Sequence, residues 1–173
     1  MSFIIAQICG LIAFVIVVLS VHFKSKESIV MCVILANLIM SVEYFLLNAI
    51  TGAVVAILCT VRCIVFYVYK KKNLKPSLIT LIIFEIVTIV TGIISWQNIW
   101  SLLPIFAALI YTYGLWQDNV TVIRITTGIV GLNWTIYDLV VKAFVGAIQD
   151  LSQFISAMVS LYRERKSNIK NDK

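Results

Sequence analysis

The sequence has little charge and few of the residues that build long loops. Only 13% of its 173 residues are charged and 61% are hydrophobic, against about 25% and roughly 45–50% in soluble domains. Two prolines and seven glycines leave few turn positions, and no segment has the polar composition of a disordered linker. These shortages exclude an ordinary water-soluble globule and indicate one compact unit built from apolar segments.

Residues suited to catalysis or metal binding are equally scarce. There is one histidine, His22, and neither a glycine-rich phosphate loop nor a His-Glu-x-x-His motif, so we expect no enzymatic activity. The four cysteines lie within apolar runs, which predicts small hydrophobic side chains and not a disulfide framework. Cys59 and Cys63 share a helix face, but no further His or Cys completes a tetrahedral site. The sequence therefore predicts no cofactor and no metal.

Seven apolar runs approach the roughly 20 helical residues that cross a hydrocarbon core about 30 Å thick. Backbone groups in lipid are satisfied only in helices or closed barrels, and these uninterrupted runs favour helices. The predicted helices cover residues 3–21, 28–47, 52–69, 77–95, 99–116, 121–141 and 146–162. The predicted fold class is an all-α integral membrane protein with seven transmembrane helices.

The basic residues orient these helices. The connections are short and alternate between two sides, and twelve of the fourteen bases fall on the side of the C-terminus: Lys24, Lys26, Lys70, Lys71, Lys72, Lys75, Arg124, Arg163, Arg165, Lys166, Lys170 and Lys173. Only Lys142 lies on the other side, and Arg62 lies within a helix. The positive-inside rule therefore predicts an N-terminus outside and a C-terminus in the cytoplasm. Because these bases do not form one solvated face, nucleic acid is not an expected partner.

When the sequence is aligned with itself at an offset of 94 residues, its first part matches its last part. Gly52 and Ala53 fall on Gly146 and Ala147, and the segment lengths match without a gap. Both copies begin outside and end inside, so they are parallel repeats, an arrangement found in transporters such as the SWEET proteins. The predicted organisation is a first three-helix repeat over 1–72, a linker helix over 73–95, a second repeat over 96–166 and a cytoplasmic tail over 167–173.

Polar side chains within the predicted spans are the candidate site. Ionisable groups at membrane depth are costly and need a partner or a water-filled cavity. The predicted solute-binding residues are Asn37, Cys59, Arg62, Asn133, Gln153 and Ser156. Four acids, Glu43, Glu85, Asp138 and Asp150, are candidates for proton coupling or for an ion pair with Arg62.

Each of these residues also has a plainer interpretation. Polar and small side chains commonly join membrane helices, and Arg62 either lines a central cavity or belongs to a purely structural ion pair. Glu85, on the linker helix, suits a packing or inter-subunit contact as well as a site role. Pro104 removes a backbone hydrogen bond, which predicts a kink in the fifth helix.

Several short patterns resemble the YgjV family of bacterial inner-membrane proteins over almost the whole chain. They are Ala6-Gln7-x-x-Gly10-x-Ile12-Ala13-Phe14, Ile57-Leu58 followed by Arg62, Leu102-Leu103-Pro104, and Asp150 with Ser152. The family looks related to the SWEET and PQ-loop superfamily, which implies a three-plus-one-plus-three helix arrangement in the bacterial inner (plasma) membrane. The chain departs from the PQ-loop pattern, since Ile105 follows Pro104 and Gly10 stands at the equivalent position of the first repeat.

The function expected from these observations is membrane transport. The leading hypothesis is a transporter or facilitator for a small polar solute that works by alternating access between the two repeats. Arg62 would hold an anionic or strongly hydrogen-bonding group of the solute. The alternative is a membrane scaffold or accessory subunit whose polar stripes serve helix packing. The expected partners are the lipid bilayer and the solute, and a homodimer is left open.

Overall fold

Seven α-helices and one 3₁₀ helix account for all regular structure in the part of the chain that the computed structural model describes, residues 1–20, 22–23, 26–117 and 119–171. The helices are α1 (Ser2–Ser20), α2 (Lys26–Leu46), α3 (Ile50–Lys71), α4 (Leu78–Ile94), α5 (Leu102–Gln117), α6 (Val120–Val141) and α7 (Phe144–Asn171), with the 3₁₀ helix (Ile99–Ser101) before α5. The seven predicted helices are confirmed. Lys24 and Lys173, two of the predicted orienting bases, lie outside the described residues.

Four segments are long and apolar enough to cross a membrane. They are Ser2–Ser20, Ile50–Lys71, Ile99–Gln117 and Phe144–Lys166, and two shorter apolar helices cover Met31–Leu46 and Leu78–Ile94. Helix α6 has 22 residues but carries Arg124, Asn133 and Asp138, which lower its hydropathy. The described chain is therefore all-helical, with four helices that can span a bilayer by length and composition.

The connections sort into two faces of the bundle. At the N-terminal face, where α1 begins, the side chain of Gln7 donates to the Lys142 carbonyl and that of Gln97 donates to the Asn48 carbonyl. At the opposite, C-terminal face, the Trp116 indole donates to the Pro76 carbonyl. These contacts tie together the loops of each face and confirm that the connections alternate between two sides.

Six helices close a ring. Helices α1, α2 and α3 pack in sequence, α3 packs on α5, α5, α6 and α7 follow in sequence, and α7 returns to α1. Helix α4 packs against α3 and α5, and most of its isoleucine side chains are exposed. Large exposed apolar surfaces of this kind are typical of a protein surrounded by lipid.

The backbone shows the 94-residue offset at two helix starts and at two turns. Helices α2 and α6 begin 94 residues apart, and so do α3 and α7. The turn before α3 has Asn48 at φ 58°, and the turn before α7 has Lys142 at φ 65°. In each turn the next amide, of Ala49 or of Ala143, donates over 2.8 Å to the carbonyl five residues earlier. The two halves therefore use the same turn at equivalent positions.

Pro104 does not interrupt a helix. Because the 3₁₀ helix ends at Ser101 and α5 begins at Leu102, Pro104 lies in the first turn of α5. The first turn of a helix has no intrahelical partner for its amides, so a missing N–H costs nothing there. Pro104 therefore removes no hydrogen bond that α5 would otherwise form, which takes away the reason for the predicted kink.

Replacing Gly131 with alanine should destabilise the α6–α7 pair. A Cβ at this position would lie 2.9 Å from the Asp150 carbonyl oxygen and 3.1 Å from the Phe154 amide nitrogen, and neither backbone atom can move alone. Overpacking of this kind costs about 1–3 kcal/mol, measurable as a lower thermal midpoint in detergent. Gly128→Ala is the control, because its Cβ would meet the flexible end of Met158. Equal midpoints for the two variants would contradict this description of the interface.

Candidate functional site

A cavity of about 190 Å³ lies within the ring, and all six ring helices contribute to its wall. Four of the six predicted binding residues line this central cavity: Asn37, Cys59, Arg62 and Gln153. The acid Asp150 lines it too, together with Tyr44, Tyr111, Trp134 and Gln149. Since one water needs about 10–15 Å³ of such space, the central cavity can hold several waters or a small solute.

Arg62 is 4% exposed, and its partners lie on α5. Its Nη1 donates to the Ala108 carbonyl over 2.9 Å and to the Thr112 hydroxyl over 3.0 Å. The Thr112 hydroxyl in turn donates to the Ala108 carbonyl over 2.7 Å. The guanidinium carbon lies 4.9 Å from the centroid of the Tyr111 ring, within cation–π range. Its Nε has no hydrogen-bond partner among the described residues.

The predicted ion pair between Arg62 and an acid is not present among the described residues. A carbonyl, a hydroxyl and an aromatic ring hold the guanidinium instead. Glu43 is buried against Gly10 of α1, and Glu85 is only partly buried on α4. An ion pair was one of the two alternatives that the sequence left open for Arg62, and the roles of the four acids stay a prediction. Among the described residues the guanidinium forms no salt bridge.

Two predicted binding residues do not line the central cavity. Ser156 lines a separate cavity of about 490 Å³ between α1, α6 and α7. Asn133 uses its side-chain amide to donate over 2.8 Å to the Ile129 carbonyl of its own helix. Helical spacing predicted that each residue lies on the polar face of its helix. Which residues of that face reach the cavity depends on how the helix is rotated about its own axis within the bundle.

The acids form a cluster toward the N-terminal face. Glu43 and Asp138 are both 0% exposed. The Tyr44 hydroxyl donates to Asp138 Oδ1 over 2.7 Å, whereas Asp138 Oδ2 and both Glu43 oxygens have no partner among the described residues. Asp150 is the neighbouring carboxyl group that faces the central cavity. Tyr44 and Asp138 are 94 residues apart, and their bond joins α2 to α6.

An aromatic layer separates the central cavity from the N-terminal face. Tyr44 stacks on Trp134 with centroids 5.6 Å apart, and Tyr137 meets Trp134 edge-on at 5.8 Å. Tyr44 and Trp134 line the central cavity, while Tyr137 lines the pocket with Asn48 and Lys142 at the N-terminal face. The Gly52 amide donates to the Tyr137 hydroxyl over 3.0 Å, which fixes the layer to α3.

The central cavity leads toward the C-terminal face. A second cavity of about 470 Å³ shares Val33, Cys63 and Tyr111 with it. Residues of the α3–α4 connection, including Lys70 and Lys75, line this second cavity. The two cavities therefore adjoin at Cys63, and the second one lies on the side of the central cavity that faces the C-terminal face. The aromatic layer lies on the other side.

The central cavity presents hydrogen-bonding groups to a polar molecule. The described residues contain no group of three or more His, Cys, Asp or Glu side chains that could hold a metal ion. Sequence analysis missed Thr112 and the Ala108 carbonyl as partners of Arg62. The available signal was Thr112 itself, a polar residue in the middle of an apolar helix.

The membrane-capable helices and the cavity between them, with its polar side chains, identify the protein as a multi-pass helical membrane protein. The chain belongs to the Imp-YgjV family of bacterial inner membrane proteins, whose family model matches residues 4–168. A search of curated proteins and a search of solved structures both returned no match. The family description states no activity, so function is argued from the site.

Proposed function

We propose that this inner-membrane protein is a transporter or facilitator for a small polar solute. The observation that carries the proposal is the central cavity, where Arg62 is buried without a salt bridge among the described residues, next to a second cavity that reaches the C-terminal face. Charged groups at membrane depth are costly and mark solute and ion pathways. In the proposal all seven helices cross the membrane, with α6 shielded between α5 and α7.

The proposed orientation has the N-terminus outside and the C-terminal face in the cytoplasm. The twelve bases on that side support it by the positive-inside rule. With this orientation the second cavity would face the cytoplasm, and the aromatic layer would lie between the central cavity and the outside. The solute would reach Arg62 past Cys63 and the α3–α4 connection.

The proposed transport step is a rearrangement between the two repeats. Repeats related along the membrane normal can rock against each other around a fixed site. The repeated turns support this plan, and so does the Tyr44–Asp138 bond between equivalent positions. Outward opening would break that bond and the Trp134 stack, while the cavity at the C-terminal face would close.

Solute flux into proteoliposomes tests the proposal. Purified protein and protein-free liposomes would be compared with a panel of labelled sugars, polyols, amino acids, amines and carboxylates. We expect protein-dependent, saturable uptake of at least one solute class. If no panel member binds to the protein or moves across the membrane, the transporter proposal fails, and the scaffold alternative is then favoured.

A further inference from the structure

The wall of the central cavity contains one basic and one acidic side chain. They are Arg62 on α3 and Asp150 on α7, and the remaining polar side chains in the wall are not ionisable at neutral pH. The described residues show no ion pair between them, since Arg62 is held by α5. The acidic and the basic group of the site therefore do not pair with each other, and each is available to a group of opposite charge on a ligand.

The positive side of the central cavity offers an unused donor. Arg62 is buried, yet its Nε has no hydrogen-bond partner among the described residues. The bonds of Nη1 to Ala108 and Thr112 fix the guanidinium without neutralising it. A carboxylate is the ligand group that matches a fixed guanidinium best, because its two oxygens accept parallel N–H bonds.

The negative side offers unused acceptors. Gln149 Oε1 is buried without a hydrogen-bond partner among the described residues, and Gln149 lines the central cavity beside Asp150. Asp150 shares a side-chain hydrogen bond with Asp138 and lies near Glu43. None of these three acids forms a salt bridge with a described base. Clustered carboxyl groups repel one another unless a proton or a cation joins them. A ligand ammonium would supply the missing positive charge and the missing donors.

We infer that the site takes a small zwitterion, a solute that carries a carboxylate and an ammonium group as amino acids do. This inference rests on the proposed transport function and names its substrate class. A ligand with only a negative charge would lie next to the carboxyl group of Asp150, and a ligand with only a positive charge would lie next to the guanidinium of Arg62. A neutral polyol would supply no charge to either side chain. The volume of about 190 Å³ restricts the ligand to a small molecule.

Equilibrium binding of four matched three-carbon probes tests the inference. L-alanine has both charges, L-lactate lacks the ammonium, alaninol lacks the carboxylate and propane-1,2-diol lacks both. We expect alanine to bind about 10- to 100-fold more tightly than either singly altered probe, because each lost charged hydrogen bond leaves a buried partner unsatisfied.

Two variants assign the two ends of the ligand. Arg62→Gln should lower alanine binding to the level of alaninol and leave alaninol binding unchanged. Asp150→Asn should lower alanine binding to the level of lactate and leave lactate unchanged. Arg124→Gln and Glu164→Gln are the matched controls, because those two side chains pair with each other at 2.6 Å outside the central cavity. Neither control should alter the order of the four probes.

Three results would overturn the inference. Lactate or propanediol binding as tightly as alanine would show that the site does not select a zwitterion, while transport of another class would stand. An equal loss of all four probes in Arg62→Gln would show a structural role for that residue. If none of the four probes binds, the zwitterion assignment is wrong, and the wider flux panel decides separately whether the protein is a transporter.

Discussion

Replacing Arg62 with alanine is expected to abolish solute uptake. The change removes the fixed positive charge of the central cavity and two hydrogen bonds to α5. Hydrogen bonds to charged groups contribute about 1.5–3 kcal/mol each, so loss of the solute contact together with distortion of the site should lower uptake by about 100-fold or more. Initial uptake rates in proteoliposomes, normalised to the amount of inserted protein, measure the effect.

Two further variants separate charge from folding. Arg62→Lys keeps a positive charge at the site but loses the bidentate geometry, so we expect partial activity. Arg124→Ala removes an arginine that pairs with Glu164 outside the central cavity and should transport normally. Uptake by Arg62→Ala at the wild-type rate would refute the proposed binding role.

The second large effect is expected at the aromatic layer. Tyr44→Phe removes the hydroxyl that donates to Asp138 Oδ1 over 2.7 Å and leaves this oxygen of a fully buried carboxyl group without its donor. Because the bond joins α2 to α6, its loss should favour opening of the N-terminal face. Leaving a buried polar group unsatisfied costs about 1–3 kcal/mol, and about 2 kcal/mol corresponds to a population shift of about 30-fold.

Thiol labelling from outside measures this shift. In a variant whose only cysteine is Cys63, which lines the central cavity, an impermeant reagent added outside should react at least tenfold faster after Tyr44→Phe. Tyr113→Phe is the control, because the Tyr113 hydroxyl accepts a bond from Gln117 near the C-terminal face. Unchanged labelling in Tyr44→Phe would show that the Tyr44–Asp138 bond does not hold this face closed.

The helices could be predicted from the sequence because each is a separate apolar run. The prediction of 52–69 for the third helix compares with Ile50–Lys71 in the structure. The seventh helix is longer than predicted and continues through charged residues to Asn171, since hydropathy marks where the apolar part ends and not where the helix ends. The position of Pro104 in the first turn of α5 could not be predicted, because the 3₁₀ helix before α5 leaves no hydropathy signal.

The candidate site could be predicted only in part. Helical spacing placed Asn37, Cys59, Arg62 and Gln153 on polar helix faces, and the four residues line one cavity in the structure. The polar faces of membrane helices point toward the interior of the bundle because polar groups are costly in lipid. The bond from Arg62 to Thr112 could not be predicted, since it depends on α3 packing against α5 and not on the pattern of either helix. Membership of the Imp-YgjV family, described as bacterial inner membrane protein, supports the membrane location and leaves transport as our proposal.

The most direct test of the account is the side from which Cys63 can be reached. The other three cysteines, Cys9, Cys32 and Cys59, would be replaced by alanine, and an impermeant cationic thiol reagent would be applied to inverted and to right-side-out membrane vesicles. We predict rapid modification of Cys63 in inverted vesicles, slow modification in right-side-out vesicles, and protection by a transported solute. Modification from neither side, or faster modification from outside, would contradict a central cavity that opens to the cytoplasm beside Arg62.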